Sequence, residues 1–280
     1  MTGHTSDRPL VAACVKWVDL RPEVDPLTGA VRTDERSSGW SAADLAAVET
    51  ALRLASAWDG TVTVVCAGPP EAERGLRDLL AAGATAAIRV DLTPDADSSA
   101  VALALSGVLR DAAVVLCGEH SVDRGSGSVP AFLAHHLSAA QALGLVAVDP
   151  AERGRVLATR RLGGGMAARI EATAPMVLSV EGSVADLRRA PLGAVVSALD
   201  AEITVVPANA GGATVTHLGA GPMRPRARSL PPPTGDSARD RIVALTGALV
   251  ERTPPRTVEA DPEEAADVIL EQLRSWGYLG

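Results

Sequence analysis

The segment with the clearest potential for chemistry is a polar loop rich in glycine and serine, which lies between a short apolar run and a helical pattern. It extends from Gly118 to Val129 and contains Asp123, Arg124 and the stretch Gly125-Ser126-Gly127-Ser128. Backbone N–H groups at the start of a helix attract phosphate, and glycine allows a ligand to approach the backbone closely. The residue types therefore indicate a phosphate-binding loop, although an ordinary surface connection has a similar composition.

Signatures of other nucleotide sites and of catalysis are missing from the sequence. There is no Walker A motif, and a long loop follows the first apolar run where a dinucleotide-binding domain would have G-x-G-x-x-G. His120 lies within the candidate loop without an evident nucleophile or orienting acid, and we interpret it as an exposed loop residue. His135 and His136 are adjacent on a predicted helix and point in different directions, so they are a poor metal pair. These features favour a carrier or cofactor-binding protein over a catalyst.

The three cysteines, Cys14, Cys66 and Cys117, lie at or near the ends of short apolar runs. No two of them have the close C-x-x-C spacing that a metal site favours, and an odd number does not suggest a disulfide framework. We therefore predict that they are small buried hydrophobic residues without a metal.

Composition and charge limit the possible classes of protein. The chain has 280 residues, of which 47% are hydrophobic, so it is long enough to bury a full core. Its formal net charge of −8 argues against a protein that binds nucleic-acid backbone. No apolar run approaches the roughly 20 residues that span a bilayer, which predicts no membrane insertion. The polar stretch Met1–Arg8 does not resemble a secretory signal, so a cytoplasmic location is expected.

Predicted strands and helices alternate from residue 10 to about residue 150. Aromatic residues make up only 2%, so the strands are built from small and branched aliphatic residues that suit a parallel sheet covered on both faces. Ser41 is the predicted N-cap of a helix that runs to about Trp58. The alternation indicates an α/β fold with right-handed crossovers. The predicted strands are Leu10–Val15, Thr61–Cys66, Ala87–Val90, Ala113–Cys117 and Leu143–Val148.

In an open parallel sheet, ligands bind at the carboxyl ends of the strands near the point where the strand order reverses. Those ends are Cys14-Val15-Lys16, Cys66-Ala67-Gly68 and Cys117-Gly118. The glycine- and serine-rich loop follows the last of them directly. The sequence thus places the candidate phosphate loop at the edge of the sheet where a ligand is expected.

The remainder of the chain is predicted in three parts. Three further β segments extend the same sheet and complete a domain at 1–206, with Gly163-Gly164-Gly165 as a hairpin turn or a place of close backbone approach. Residues 207–236 are rich in Gly, Pro and Arg and are interpreted as an extended arm. Residues 237–280 carry two helical patterns, and we expect this segment to pack on the domain or on a partner.

These segments, taken in order, resemble the electron transfer flavoprotein β subunit family. The similarity covers about residues 10 to 207, and no single motif is decisive, but the ordered set is fairly specific. It includes these segments: Ala13-Cys14-Val15-Lys16, the helix opening at Ser41, Ala67-Gly68-Pro69, Leu76-Arg77, Ala82-Gly83-Ala84, Gly118 to Val129, Gly163-Gly164, Pro175, Arg188 to Leu192 and Ala198.

The resemblance implies a Rossmann-like sheet of the adenine nucleotide α-hydrolase-like type with added β segments and a C-terminal arm. It implies an electron carrier, not an enzyme, that pairs with an α subunit holding most of the FAD and that itself binds AMP or a second FAD. A dehydrogenase would donate the electrons, and a membrane quinone reductase or another acceptor would receive them. By position, the nucleotide contacts would be Cys14, Ser41, Ala42, Ala43, Asp44, Ala67, Gly118, Asp123, Arg124, Gly125, Ser126, Gly127, Ser128 and Val129.

The family's partner-recognition loop maps to Arg188–Ser197, with Leu192 at the position of its apolar anchor, so Arg188 and Leu192 are the expected partner contacts. Two departures from the family stand out. Ser41-Ala42 replaces the usual Asn-Pro at the start of the first helix, and Leu199, Asp200 and Glu202 replace lysines that often follow the recognition loop. The second change alters the charge shown to a dehydrogenase.

Two other functions stay open at the level of sequence. A stand-alone adenine-nucleotide-binding module of the universal-stress type has a related fold, but it would not require the segment 150–207. A hydrolase or ligase that uses the Asp123 region is a further alternative, which the lack of a paired base makes weaker.

Overall fold

The computed structural model describes residues 8–93, 96–208, 235–246 and 257–279, together with the short stretches 215–216, 218–219, 221–222 and 232–233. The chain divides into two compact units, Met1–Met223 and Arg224–Gly280. Most of the arm predicted at 207–236 lies outside the described residues, so its conformation stays a prediction. Within the described part of the chain, no helix is both long and apolar enough to cross a membrane.

Strands and helices alternate along the first unit as the hydrophobic pattern predicts. The strands are β1 (Leu10–Val15), β2 (Val18–Asp19), β3 (Glu23–Val24), β4 (Val31–Arg32), β5 (Ser38–Gly39), β6 (Thr61–Gly68), β7 (Ala86–Asp91), β8 (Val114–Gly118), β9 (Ala140–Pro150), β10 (Arg155–Arg161), β11 (Ala167–Thr173), β12 (Met176–Val180) and β13 (Thr204–Pro207). The helices of this unit are α1 (Ala42–Trp58), α2 (Ala72–Ala81), α3 (Ser98–Ser106), α4 (Val129–His136) and α5 (Leu192–Ala198).

The main sheet has nine strands in the order β11-β10-β9-β12-β8-β1-β6-β7-β13. All neighbours from β9 to β13 in this order are parallel, whereas β10 and β11 are added as antiparallel strands. The predicted α/β class with added β segments is therefore confirmed, and Gly163–Gly165 lies in the turn between β10 and β11. The chain leaves β1 toward β6 on one side and later returns to β8 on the other, so the strand order reverses between β1 and β8.

Helices cover both faces of the sheet, because successive residues of each buried strand point to opposite sides. In β1, Val11, Ala13 and Val15 belong to the core cluster under α1 and α2, while Ala12 and Cys14 belong to the cluster under α3 and α4. Both clusters consist mainly of alanine, valine and leucine. This composition agrees with a parallel sheet that is buried on both faces.

The segment between β2 and α1 is more regular than the long polar loop predicted there. Two short antiparallel pairs, β2 with β5 and β3 with β4, form around a 3-10 turn at Glu35–Ser37. The buried carboxylate of Asp19 organises this segment by accepting hydrogen bonds from the Asp34 N–H (2.7 Å) and the Ser37 hydroxyl (2.6 Å). These contacts join residues 15 and 18 positions apart, which local sequence patterns do not reveal.

The second unit contains the last two helices, α6 (Ala238–Thr246) and α7 (Pro262–Ser275). Asp261 caps α7, and its carboxylate accepts the backbone N–H groups of Glu263 (3.1 Å) and Glu264 (2.9 Å). Within the predicted helical segment 237–280, residues 247–256 lie outside the described residues. No residue within these two described helices is buried.

Candidate functional site

The carboxyl ends of β1 and β8 and the start of α1 meet at the point where the strand order reverses. Two glycines allow the first turn of α1 to approach the strand ends closely. A Cβ on Gly118, at the end of β8, would lie 3.0 Å from the Cβ of Ala43, and a Cβ on Gly182 would lie 3.1 Å from the Cβ of Ala42. The first turn of α1 is therefore seated directly against the ends of β8 and β12.

The loop predicted to bind phosphate connects β8 to α4 at this edge. Gly125 and Gly127 both adopt positive φ angles, +64° and +58°, which glycine accommodates without steric cost. Gly127 is additionally confined, because a Cβ there would lie 2.7 Å from the carbonyl oxygen of Glu119. Ser128 then returns to the right-handed region (φ −91°, ψ −20°) as the N-cap of α4. Backbone that alternates between left- and right-handed conformations points successive N–H groups into a common concavity, the arrangement that binds anions.

Hydroxyl groups cluster beside this backbone. The Ser126 and Ser128 oxygens lie 3.1 Å apart, and the Ser98 hydroxyl at the start of α3 lies 3.4 Å from that of Ser126. The guanidinium of Arg124 donates to the carbonyl of Ala96 at 2.6 Å. The loop is thus tied to the entry of α3, and Ser98 joins the site although the sequence alone did not indicate it.

Asp123 forms an ion pair with Lys16, which follows β1. The ammonium contacts both carboxylate oxygens, at 2.7 Å and 2.6 Å, and the two side chains are 35% and 37% exposed. The pair holds the pKa of Asp123 below its ordinary value, because the Lys16 and Ser121 hydrogen bonds outweigh the opposing effect of burial. The sequence predicted Asp123 as a nucleotide contact, and the structure gives its carboxylate a partner within the chain.

At the start of α1, Ser41 and Asp44 form a capping box. The Ser41 hydroxyl accepts the Asp44 N–H (3.1 Å), and the Asp44 carboxylate accepts the Ser41 N–H (3.0 Å) and hydroxyl (2.7 Å). Burial raises the pKa of Asp44 to about 6, against the opposing effect of the Ser41 hydrogen bonds and of nearby Lys16. Ser41, Ala43 and Asp44 are buried, whereas Ala42 is exposed. The predicted Ser41–Asp44 contacts thus lie at the site, but the polar side chains among them bond to each other.

The cysteines are free and buried, as predicted from the sequence. Cys14 and Cys117 are register partners on β1 and β8 and face the same core cluster, whereas Cys66 faces the other. A hydrogen bond with Cys117 and burial raise the pKa of Cys14 well above its ordinary value, and burial raises that of Cys66 to about 12. Protonated thiols at these positions act as small hydrophobic residues of the core.

The described residues hold no group of His, Cys, Asp and Glu side chains arranged to bind a metal. His120 is half-exposed and lies 3.1 Å from the Glu119 carboxylate. Ala67, near the end of β6, is partly buried at the same edge of the sheet. Backbone N–H groups, serine hydroxyls and positive-φ glycines are groups whose chemistry fits a phosphate.

The predicted partner-recognition segment lies on the first unit beside α1. Arg188 donates from Nε and Nη2 to the buried carboxylate of Glu49 at 2.9 Å and 3.0 Å. Burial would raise the pKa of Glu49, but hydrogen bonds from Arg188 and Arg53 outweigh it and hold this pKa below its ordinary value. Arg188 thus anchors the segment to α1, and its predicted contact with a partner stays a prediction.

Leu192 begins α5 where the sequence analysis expected a loop. Its side chain is 80% exposed, and Val196 and Leu199 follow it at 59% and 64% exposure. The spacing i, i+4 and i+7 places these three residues on one side of the helical segment. An exposed apolar row of this kind is typical of a surface that contacts another protein.

A groove of about 540 Å³ lies next to α5, between this helix, α2 and residues 38–40, which precede α1. Its wall includes Trp17 and Trp40, whose rings pack edge to face with centroids 4.9 Å apart. The guanidinium of Arg74 lies over the Trp17 ring at 5.1 Å. The exposed row of α5 is therefore continuous with a concave aromatic surface, which the sequence analysis did not identify.

Three residues near the candidate site were not among the predicted contacts: Lys16, Ser98 and Gly182. The position of Lys16 directly after β1 was a usable signal, because the carboxyl end of a central strand is where ligands bind. Ser98 and Gly182 carried no comparable signal, since their proximity depends on how α3 and β12 pack.

Comparison with known proteins gives a consistent result. The family model described as the electron transfer flavoprotein domain matches residues 29–218. The chain is 31% identical over 170 residues to an electron transfer flavoprotein subunit beta of Mycobacterium bovis, covering 57% of this chain and 63% of the relative. It is 33% identical over 134 residues to the protein FixA of Azotobacter vinelandii, covering 44% and 48%. The chain thus spans less than two thirds of the length of these relatives.

Proposed function

Because the chain belongs to the electron transfer flavoprotein family, in agreement with the predicted resemblance to its β subunits, we propose that it is the β subunit of a heterodimeric electron carrier. In this role it binds an adenine nucleotide and docks an α subunit that holds most of the FAD. It carries no catalytic residues of its own. A dehydrogenase donates the electrons, and a quinone reductase or another acceptor receives them.

The observation that carries the nucleotide part of this proposal is the loop after β8 at the strand-order reversal, with its two positive-φ glycines and its clustered serine hydroxyls. Gly118 and Gly127 stand where any larger residue would collide with α1 or with Glu119. Between them, the Ser126 and Ser128 hydroxyls and the start of α4 supply donors for a phosphate. We propose that AMP, or the AMP half of a second FAD, binds here with its phosphate against Gly125–Val129.

In this proposal the chain's own residues bind and position, while bound flavin supplies the redox chemistry. The loop after β8 orients the phosphate, and the buried edge formed by Cys14, Cys117 and Ala43 excludes water from one side of the nucleotide. The exposed row of α5 positions the partner that exchanges electrons with the flavin. Docking through a small apolar anchor allows rapid release, as transient redox encounters require.

The proposal is tested by co-expressing the chain with an electron transfer flavoprotein α subunit from the same organism and purifying the complex. We expect a yellow heterodimer that contains one flavin on the α side and releases AMP or FAD from the β side on denaturation. A chain that remains alone, without flavin, and binds ATP would instead support the universal-stress type of module.

A second prediction concerns Leu192. Replacing it with alanine removes the most exposed apolar anchor of α5 and should slow electron transfer from the donor dehydrogenase about tenfold, since interface anchors commonly contribute about 1–2 kcal/mol. The flavin content of the complex should not change. Stopped-flow reduction of the flavin measures the rate, and Val215→Ala, which removes another exposed apolar side chain (66% exposed), is the control. If Leu192→Ala lost flavin to the same extent as it lost electron-transfer rate, this segment would stabilise the complex instead of docking the dehydrogenase.

A further inference from the structure

Lys16 is the sole lysine in the sequence, and it lies at the carboxyl end of a central strand, where ligands of parallel sheets bind. It follows β1 directly, at the reversal of strand order, and its ammonium is bound by Asp123 in the loop after β8. The two residues are 107 positions apart in the chain. Their ion pair therefore connects the end of β1 to the loop across the crevice between β1 and β8.

The ion pair holds the ammonium close to the candidate phosphate position. Asp123 lies two residues before Gly125, the first glycine with positive φ. The guanidinium of the neighbouring Arg124 is directed to the carbonyl of Ala96 on the α3 side. Lys16 thus approaches the loop from β1, and its four-carbon side chain can reorient without moving the backbone.

The charges around the loop indicate that a phosphate could replace Asp123 as the partner of Lys16. The carboxylate of Asp123 is an anion beside a loop built to receive an anion, and like charges at this range repel. A pair whose members are both about a third exposed is weak, typically under about 1 kcal/mol, so exchanging one partner costs little. A phosphate that displaces the carboxylate would gain a charge-assisted hydrogen bond from the ammonium.

We propose that Lys16 is a ligand for the nucleotide phosphate and that Asp123 competes with the phosphate for it. The ammonium exchanges the Asp123 carboxylate for the phosphate when an adenine nucleotide binds, and the freed carboxylate turns to solvent. This proposal rests on the proposed nucleotide site and changes the role of Asp123 from a direct contact to a competitor. The Lys16–Asp123 pair then sets how tightly the site holds a nucleotide.

The opposite signs expected for two substitutions test the exchange. Isothermal titration of the full-length chain with AMP measures both effects. Lys16→Met should weaken AMP binding about tenfold, because the phosphate loses its hydrogen bond from the ammonium. Asp123→Asn should tighten AMP binding about threefold, because the ammonium is released from its exposed ion pair. Adenosine, which lacks the phosphate, should bind both variants as it binds the parent chain. If Asp123→Asn weakens AMP as much as Lys16→Met does, the pair is structural and the proposal is wrong.

Chemical modification of the parent chain gives a second readout, which requires no substituted protein. Because the chain has one lysine, acetylation with an amine-reactive ester followed by mass spectrometry of the Lys16 peptide reports on a single ε-amine. AMP should slow this acetylation several-fold and adenosine should not. Equal rates with AMP and adenosine would overturn the proposal. Lys16→Arg, which keeps the charge, should bind AMP within about threefold of the parent, and a tenfold loss would also count against it.

The same titrations separate this inference from the proposed function. A chain that binds neither AMP nor FAD in any variant would refute the nucleotide site itself. A chain that binds AMP equally well in the parent, Lys16→Met and Asp123→Asn forms would leave the nucleotide site in place and refute only the exchange.

Discussion

Replacing Gly127 with alanine is expected to lower the affinity for AMP about a hundredfold, equivalent to ~3 kcal/mol. Two effects add at this position. The φ angle of +58° is strained for alanine, and the new Cβ would lie 2.7 Å from the Glu119 carbonyl oxygen, which belongs to backbone and cannot rotate away. The loop must therefore move, and the Ser126 and Ser128 donors move with it. Isothermal titration with AMP measures the change.

Gly125 provides a matched control in the same loop. Its φ angle is +64°, but no atom lies within 4 Å of a Cβ built there. Gly125→Ala thus carries the backbone strain without the collision and should weaken AMP binding by at most about tenfold, or ~1 kcal/mol. Equal effects of the two substitutions would show that the confinement of Gly127 does not shape the site.

The second large effect is expected for Asp44→Asn, in the dependence of stability on pH. The pKa of Asp44 is raised from 3.8 to about 6 in the folded chain, because burial disfavours the carboxylate. Between these two values the folded state binds more protons than the unfolded state, so this group's contribution to stability falls as pH rises through the window. Ionising Asp44 at pH 7 therefore costs about 3 kcal/mol. Asparagine cannot ionise and can still accept the Ser41 hydrogen bonds through its carbonyl oxygen.

The stability of Asp44→Asn relative to the parent should consequently increase by about 2 kcal/mol between pH 4 and pH 7. Urea unfolding followed by tryptophan fluorescence at several pH values measures this difference, and contributions common to both proteins cancel. A difference that does not change with pH would contradict the raised pKa of Asp44.

Glu49→Gln supplies a comparison of opposite sign. Burial would raise the pKa of Glu49, but the hydrogen bonds that its carboxylate accepts from Arg188 and Arg53 outweigh this effect. The pKa of Glu49 is therefore lowered from 4.5. The stability that Glu49 contributes is present above pH 4.5 and is lost as pH falls below it. The difference in stability between Glu49→Gln and the parent should therefore become smaller at low pH. In contrast, the stability of Asp44→Asn should rise relative to the parent as the pH approaches neutrality.

The sequence predicted the sheet well where each strand is a short, continuous aliphatic run. Leu10–Val15 was placed correctly, because a buried parallel strand needs no alternation and its ends are marked by polar residues. The start of α1 at Ser41 was also correct, since the capping side chain and its acidic partner lie three residues apart. The long strand β9 was predicted too short, because partly exposed residues at both of its ends carry no continuous apolar pattern.

The helix α5 and the strand β13 were missed for different reasons. Within α5, Gly193 and the valines Val195 and Val196 lower the intrinsic helix propensity, so local residue types did not favour a helix. The strand β13 is four residues long and mostly exposed at the edge of the sheet, where it pairs with β7. Its assignment depends on that pairing and not on its own pattern.

The candidate site was predictable in outline but not in its contacts. The glycines and serines of the loop after β8 identified it, since their chemistry is local. The ion pair of Lys16 with Asp123 and that of Arg188 with Glu49 join residues 107 and 139 positions apart. Such pairs are fixed by the order of strands in the sheet and by the packing of α1, which no local spacing encodes.

The close seating of α1 on Gly118 and Gly182 has a consequence for the choice between AMP and FAD. A helix whose first turn is in van der Waals contact with the ends of two central strands cannot shift to enlarge the site, because shifting it would open gaps in the interior. In the proposed site, accommodation of the bulkier dinucleotide would therefore have to come from the polypeptide between β8 and α4. The choice between AMP and FAD would then depend on the residues of this loop and not on α1.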